Sequence, residues 1–253
     1  MHGSLREFFR VRAFQVPEMG DLLQFPIDRV RASEPPGAGA PAFFFDVACP
    51  FSYLAAEDVE RRLPDAVWVP VDGAALVDPP ARGPGLVAPP AGGPERTAPP
   101  AGEPALARLR ARAEARAREL RLPLVWPDEF PLPARGARRA AALACELGAG
   151  PAFALAAGRL AFCGGFALED PETIAEAAAA AALPLAPCLE AAGECGRDEE
   201  LAATSAALRS AGVHGLPAFR VARRWLQGER ALDTAAALAL RGARAQGPLA
   251  PAR

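Results

Sequence analysis

A chain of 253 residues that is 51% hydrophobic can pack one large domain or two small ones, and a formal charge of -2 leaves no basic field for nucleic acid. No stretch reaches the roughly 18 consecutive apolar residues of a membrane span, and Arg6, Glu7, Arg10 and Arg12 are not followed by the apolar block of a signal peptide. A cytoplasmic protein that engages neither nucleic acid nor membrane is therefore expected.

Residues 1–40 read as an N-terminal extension, with Phe8, Phe9, Phe14, Leu22, Leu23, Phe25 and Ile27 as its apolar positions and a Pro/Gly linker over 33–41. The run from 42 to 47 is short and aromatic with one polar interruption, which predicts a strand covered on both faces. Pro50 then supplies a helix start, because the N–H that proline lacks has no partner at the first helical position; Cys49 falls at the N-cap. Phe51, Leu54, Ala55, Val59 and Leu63 keep helical spacing, and 65–71 predicts a second strand, completing a βαβ unit.

Between 78 and 104 the prolines at 79, 80, 84, 89, 90, 94, 99, 100 and 104 mark a long loop, a tether more simply than a lid. A helical block follows. Leu106, Leu109, Ala113, Ala117 and Leu120 define its first helix, with Glu114 and Arg118 at i,i+4 spacing on the exposed side. Helical patterns recur over 135–147 and 152–163, Asp170-Pro171-Glu172 reads as N-cap, N1 and N2 of another helix, and two more span 185–192 and 198–211 before Gly212. Two alternating segments, 216–221 and 224–226, predict a hairpin with a tight turn, and 230–240 returns to helix.

That order predicts an α/β protein of thioredoxin-like fold (βαβ–ββα) split by an all-helical insertion. The thioredoxin-like part covers 41–77 and 212–245, the loop 78–104, and the insertion 105–211.

The chemistry centres on Cys49. The free N–H groups of Phe51 and Ser52 and the positive end of the helix dipole favour thiolate over thiol there, predicting a pKa drawn from about 8.5 toward neutrality; the alternative is a buried cysteine acting as a small hydrophobe. His214, three residues before Pro217, is either a proton shuttle for that thiol or a ring filling a site beside it. Asp46 is either a proton acceptor beneath the site or a strand residue with a local hydrogen bond. Cys145 and Cys163 fall on apolar helix faces and read as core, while five cysteines spread over a chain of this size do not resemble a disulfide framework. Metal-ligand spacing is absent from the sequence, and no metal is expected.

The segment Phe44-Phe45-Asp46-Val47-Ala48-Cys49-Pro50-Phe51-Ser52-Tyr53-Leu54, the helical middle, and Gly212-Val213-His214-Gly215-Leu216-Pro217-Ala218-Phe219 together resemble the DsbA superfamily over about residues 42 to 241. The branch most resembled is that of the kappa-class glutathione transferases and 2-hydroxychromene-2-carboxylate isomerases, whose opening motif has the form F-D-x-x-S-P-x-S-Y-L. In that branch a serine that assists the glutathione thiol stands where this chain has Cys49; in the redox branch the position is the attacking cysteine of C-x-x-C. Here Cys49 is followed by Pro50, Phe51 and Ser52, so no internal bridge can close at position 52 and a monothiol mechanism is implied.

The resemblance also implies a cis-proline loop at Leu216-Pro217 that pairs its backbone with a bound thiol or peptide. Glu229 and Arg230 stand in Gln227-Gly228-Glu229-Arg230 where kappa-class proteins carry G-x-D-R against the γ-glutamyl end of glutathione. The chain departs from the pattern by having neither lysine nor asparagine, and by the sequence Phe130-Pro131-Leu132-Pro133-Ala134-Arg135 where an N-S motif is expected.

Three functions follow as expectations. The first is a DsbA-like thiol oxidoreductase or thiol-dependent transferase with Cys49 as nucleophile, Ser52 as hydrogen-bond donor, Pro50, Phe51, Leu216 and Pro217 around a small-molecule or thiol substrate, and glutathione as the implied cofactor. The second is a glutathione-dependent isomerase of the 2-hydroxychromene-2-carboxylate type. The third is a non-catalytic protein that binds a ligand or partner in a pocket between sheet and insertion. Relatives in this branch are often dimers, so the resemblance implies a homodimer as the candidate assembly.

Overall fold

The computed structural model describes residues 40–76 and 103–246. Most of the predicted extension (1–40) and of the predicted Pro/Gly loop (78–104) lies outside the described residues. A four-stranded sheet has the order β2-β1-β3-β4, with β1 at Ala42–Phe45, β2 at Val67–Pro70, β3 at Ala218–Val221 and β4 at Arg224–Gln227. Helix α1, Pro50–Arg62, links β1 to the parallel strand β2; β3 runs antiparallel to β1, and β4 to β3.

Alternation along β1 decides the two cores. Phe43 and Phe45 point to one face with Trp68, Phe219 and Val221, where the Phe43 ring stacks on Phe219 at 4.9 Å and meets Trp68 edge-on at 4.7 Å. Ala42 and Phe44 point to the other face with Val71, Leu76, Leu208, Val213 and Ala218. All four residues of β1 are buried, as the unbroken apolar run requires.

The strand β3 begins at Ala218, two residues later than the sequence pattern indicates, because its ladder with β1 starts at the pair Phe44 and Ala218 and Pro217 has no N–H to extend it. The β3–β4 turn holds Ala222 and Arg223 at φ 48° and 66°, a two-residue hairpin turn with both central residues left-handed. Such turns favour Asn-Gly, and the chain contains no asparagine. Arg223→Gly is expected to raise stability by about 1 kcal/mol, read as a higher urea midpoint with unchanged slope; an equal or lower midpoint refutes the strain.

The insertion comprises α2 (Glu103–Leu120), α3 (Arg135–Glu146), α4 (Gly150–Phe162), α5 (Pro171–Ala180), α6 (Leu185–Gly193) and α7 (Arg197–Ser210). Helix α8, Ala231–Gln246, closes the fold against β3 and β4. Asp170 caps α5 by accepting from the Glu172 N–H at 3.0 Å. Alanines dominate the contacts of α3 and α4: Ala137, Ala140, Ala141, Ala144, Ala154, Ala157 and Ala161 are all buried.

Arginines knit the elements together. Arg139 forks onto Asp198 at 2.7 and 2.6 Å and donates to the Ala192 carbonyl, joining α3 to α6 and α7. Arg62 and Arg116 both reach Asp233, joining α1 and α2 to α8. The Arg139 hydrogen bond holds Asp198 below the usual carboxylate range; for Asp233 burial opposes ionisation, but Arg62 and Arg116 outweigh it. Both groups are more acidic folded than unfolded, so their contribution is complete above the unfolded value of about 3.9 and is lost as pH falls through the folded values. The melting temperature is therefore expected to drop as pH falls below about 4, and to drop less in D198N; equal acid sensitivity in the two proteins rules out this source.

Candidate functional site

Cys49 occupies the N-cap of α1 with extended backbone angles (φ -99°, ψ 117°), Pro50 follows at the first helical position, and the Cys49 carbonyl accepts the first helical bond from Tyr53. The residue is half-buried, while Pro50, Phe51 and Ser52 are buried. Its sulfur makes no capping hydrogen bond. The hydroxyl and amide of Ser52 and the amide of Phe51 nevertheless act on the thiol and favour its ionised form.

The predicted acidic thiol is not what this environment produces. Burial dominates and pushes the Cys49 thiol up from its ordinary value, and the Asp46 carboxylate pushes the same way, against the Ser52 and Phe51 hydrogen bonds. Desolvation outweighs the helix terminus, so the Cys49 thiol is less acidic than an ordinary one. Cys145 is likewise pushed up to about 12 by burial. Cys145 and Cys163, expected as core from their helix faces, are half-buried and pack against the main core cluster, and the Cys163 sulfur lies 3.1 Å from the Tyr53 hydroxyl, which itself donates to the Pro123 carbonyl. Cys188 is buried and Cys195 exposed, both with free thiols.

Beneath Cys49 lies Asp46, only 3% exposed, and every polar group of it is engaged. Its carbonyl accepts from the Cys49 N–H at 3.0 Å, and its own N–H donates to Ser52 Oγ at 3.3 Å, which leaves the hydroxyl proton free for the sulfur. Its carboxylate accepts from the Ala48 and Gly73 N–H groups and from the Arg138 fork, Nε at 2.9 Å and Nη2 at 2.8 Å. A Cβ at Gly73 would sit 2.8 Å from Asp46 Oδ2 and 3.1 Å from Leu216, so only glycine allows this approach.

Leu216 and Pro217 reach the same end of the sheet. Continuing the register of β3 on β1 by two residues sets Pro217 beside Phe45 and Leu216 beside Asp46. The Leu216–Pro217 peptide is cis, as is Phe130–Pro131. Pro217 is buried, and its carbonyl accepts from Gly228.

The remaining predicted residues are placed differently. His214 is exposed, its N–H donates to Gln227 Oε1, and it is not among the groups that act most on Cys49. Arg230 Nη2 donates to both carboxylate oxygens of Glu119 of α2, at 2.8 and 2.9 Å, and Glu229 meets Arg112 of the same helix at 3.4 Å. Arg112 also lies over the Phe51 ring at 5.5 Å, so it connects Glu229 to the helix that carries Cys49. Glu114, placed with Arg118 by the sequence pattern, accepts from the Trp126 indole N–H.

Arg138, Asp72, Gly73 and Arg112 carry no signal in the sequence that sets them apart, in a chain whose basic residues are all arginine. Between sheet and insertion, where a ligand pocket is expected, a groove of about 470 Å³ is lined by Val67, Val69, Cys145, Pro151, Leu201 and Thr204 among others. Neither Cys49 nor Leu216 lines it. Among the described residues no helix is long and apolar enough to cross a membrane, and no cluster of histidine, cysteine or carboxylate side chains is arranged to hold a metal.

A family model described as a DSBA-like thioredoxin domain matches residues 42–239. Among solved structures, a 2-hydroxychromene-2-carboxylate isomerase superposes with a TM-score of 0.64 at 16% identity, covering 83% of this chain and 99% of its own. A Streptomyces coelicolor protein regarded as a DsbA oxidoreductase gives 0.57 at 16% identity over 85% and 92% of the two chains. A Nitrosomonas europaea protein regarded as a protein disulfide isomerase gives 0.55 at 12% over 82% and 99%. At these identities the likeness is one of fold. No curated protein matches the chain in sequence.

Proposed function

Since the chain belongs to the DSBA-like thioredoxin domain family, we propose that it is a thiol-dependent enzyme working through one cysteine, Cys49, by exchange between a substrate disulfide and an external thiol. The observation that carries this reading is the placement of Cys49 at the α1 N-cap, with the Ser52 hydroxyl beside its sulfur and the 216–217 segment at the same sheet end. In the first step ionised Cys49 attacks one sulfur of a disulfide RSSR; the S–S bond breaks, RS⁻ leaves and takes a proton, and Cys49–S–S–R forms. The thiolate of a second thiol, R'SH, then attacks the R sulfur, giving RSSR' and regenerating Cys49. Position 52 holds serine and cannot resolve the intermediate, so the external thiol must; glutathione fills that role in this reading, in a cytoplasmic setting.

The raised pKa of the Cys49 thiol has a direct consequence. Alkylation of Cys49 by iodoacetamide, followed by peptide mass spectrometry, is expected to keep accelerating through pH 9, above the ordinary thiol value of about 8.5. A plateau below pH 8 would show an activated thiolate and overturn the burial-dominated environment.

The same observation favours a second reading. A thiol that stays protonated can donate S–H to a bound thiolate, the part a serine hydroxyl plays in the isomerase branch, and the isomerase superposes with the 0.64 score. Under that reading Cys49→Ser retains saturable glutathione binding and isomerisation of a hydroxychromene carboxylate. Under the exchange reading the same substitution removes activity.

A further inference from the structure

Asp46 and Arg138 stand 92 residues apart and meet as a two-point fork, with side chains 4% and 13% exposed. Asp46 is bonded to both ends of the Cys-Pro-Phe-Ser turn, through its carbonyl to Cys49 and its N–H to Ser52, and its carboxylate braces Ala48 and Gly73. Arg138 extends the chain of contacts to Asp72 at 3.5 Å, and Asp72 is fixed in turn by Ser205 of α7, whose fully buried hydroxyl accepts from the Asp72 N–H and lies 3.1 Å from its carbonyl. The thiol turn, the segment after β2, α3 and α7 thus share one polar cluster under the cysteine.

We propose that the Asp46–Arg138 pair is a positioning device for Cys49, in which Asp46 fixes the thiol turn and Arg138, supplied by the insertion, balances the negative charge that Asp46 presents beneath the sulfur. This rests on the reading that Cys49 carries the chemistry. Its logic is electrostatic as well as geometric. A lone buried carboxylate beneath a thiol suppresses its ionisation, and a guanidinium locked to that carboxylate relieves the suppression. The insertion therefore sets the reactivity of a residue that lies in the other part of the fold.

Other charges around the cysteine are few and accounted for. Asp72 and Glu169 act on Arg138, Arg112 and Glu229 sit over and beside Phe51, and His214 is exposed. Asp46 is the one of these that acts directly on Cys49 among its principal influences.

The test is the pH profile of Cys49 alkylation by iodoacetamide in the full chain, for the wild type, D46N, D72N and R138Q, each first checked for a native circular-dichroism spectrum. D46N is expected to move the midpoint down by roughly one unit and D72N down by less, while R138Q moves it up. A midpoint unmoved in D46N, or moved the same way in D46N and R138Q, overturns the proposal, since a purely structural role would lower the melting temperature of both without opposed shifts. If R138Q does not fold, D46N and D72N decide the matter, because loss of negative charge must lower the midpoint. Exchange of glutathione disulfide is followed in the same samples. Opposed shifts without exchange would refute the proposed function and leave the pair's role standing; exchange without shifts would do the reverse.

Discussion

Arg138→Met lowers the unfolding free energy by about 3–5 kcal/mol, the cost of leaving a buried carboxylate without its partner. Asp46 keeps the Ala48 and Gly73 N–H groups in this variant but loses both limbs of the Arg138 fork, and its side chain has almost no contact with water to replace them. The loss is a large share of the roughly 5–15 kcal/mol that holds a domain of ordinary stability together. A urea titration followed by far-ultraviolet circular dichroism measures it. The double variant D46N/R138M, which removes the orphaned charge, is expected to recover part of the loss, and a double variant no more stable than R138M would show that the charge is not the cause.

Cys49→Ser brings exchange between glutathione and a small aromatic disulfide to the uncatalysed background, because a serine hydroxyl cannot form the mixed disulfide. Stability should change little, since the substitution keeps the size of the side chain at a half-buried N-cap and serine is itself a favoured capping residue. Stopped-flow absorbance of the released thiol gives the rate. Undiminished exchange in C49S would move the chemistry to another of the four remaining cysteines or end the exchange reading altogether, and retained glutathione binding with isomerase turnover would select the second reading.

The parts of the fold legible in sequence are those set by neighbours in the chain. Alternating aromatics ended by Asp46 and Pro50 specify strand, turn and helix locally, and Asp170-Pro171 does the same for α5. The site was legible to the same extent: the position of Cys49, with Ser52 one turn on, follows from the proline. What surrounds it did not follow. Arg138 reaches Asp46 across 92 residues, and one arginine among 28 cannot be told from a solvated one until α3 is packed. The acidity of Cys49 was misread for the same reason. A helix terminus is a local feature, whereas desolvation depends on what Phe51, Asp46 and the rest of the fold place around the sulfur, and desolvation won. Arg230 and Glu229 show the converse, with charges suited to a ligand occupied by Glu119 and Arg112.

The alanine-lined contacts of α3 and α4 carry a calorimetric consequence. Ala137, Ala140, Ala141, Ala144, Ala154, Ala157 and Ala161 are buried, yet each brings a single methyl out of water, so the helical part removes less apolar surface per residue than a leucine-lined bundle would. The heat capacity gained on unfolding scales with that surface, at about 0.45 cal/mol/K for each Å² of apolar area. Because these alanines share one core cluster with Phe43, Phe45, Trp68 and Phe219, the whole fold has a shallower stability curve than a leucine-lined fold of the same length, its free energy changing more slowly with temperature on both sides of the maximum.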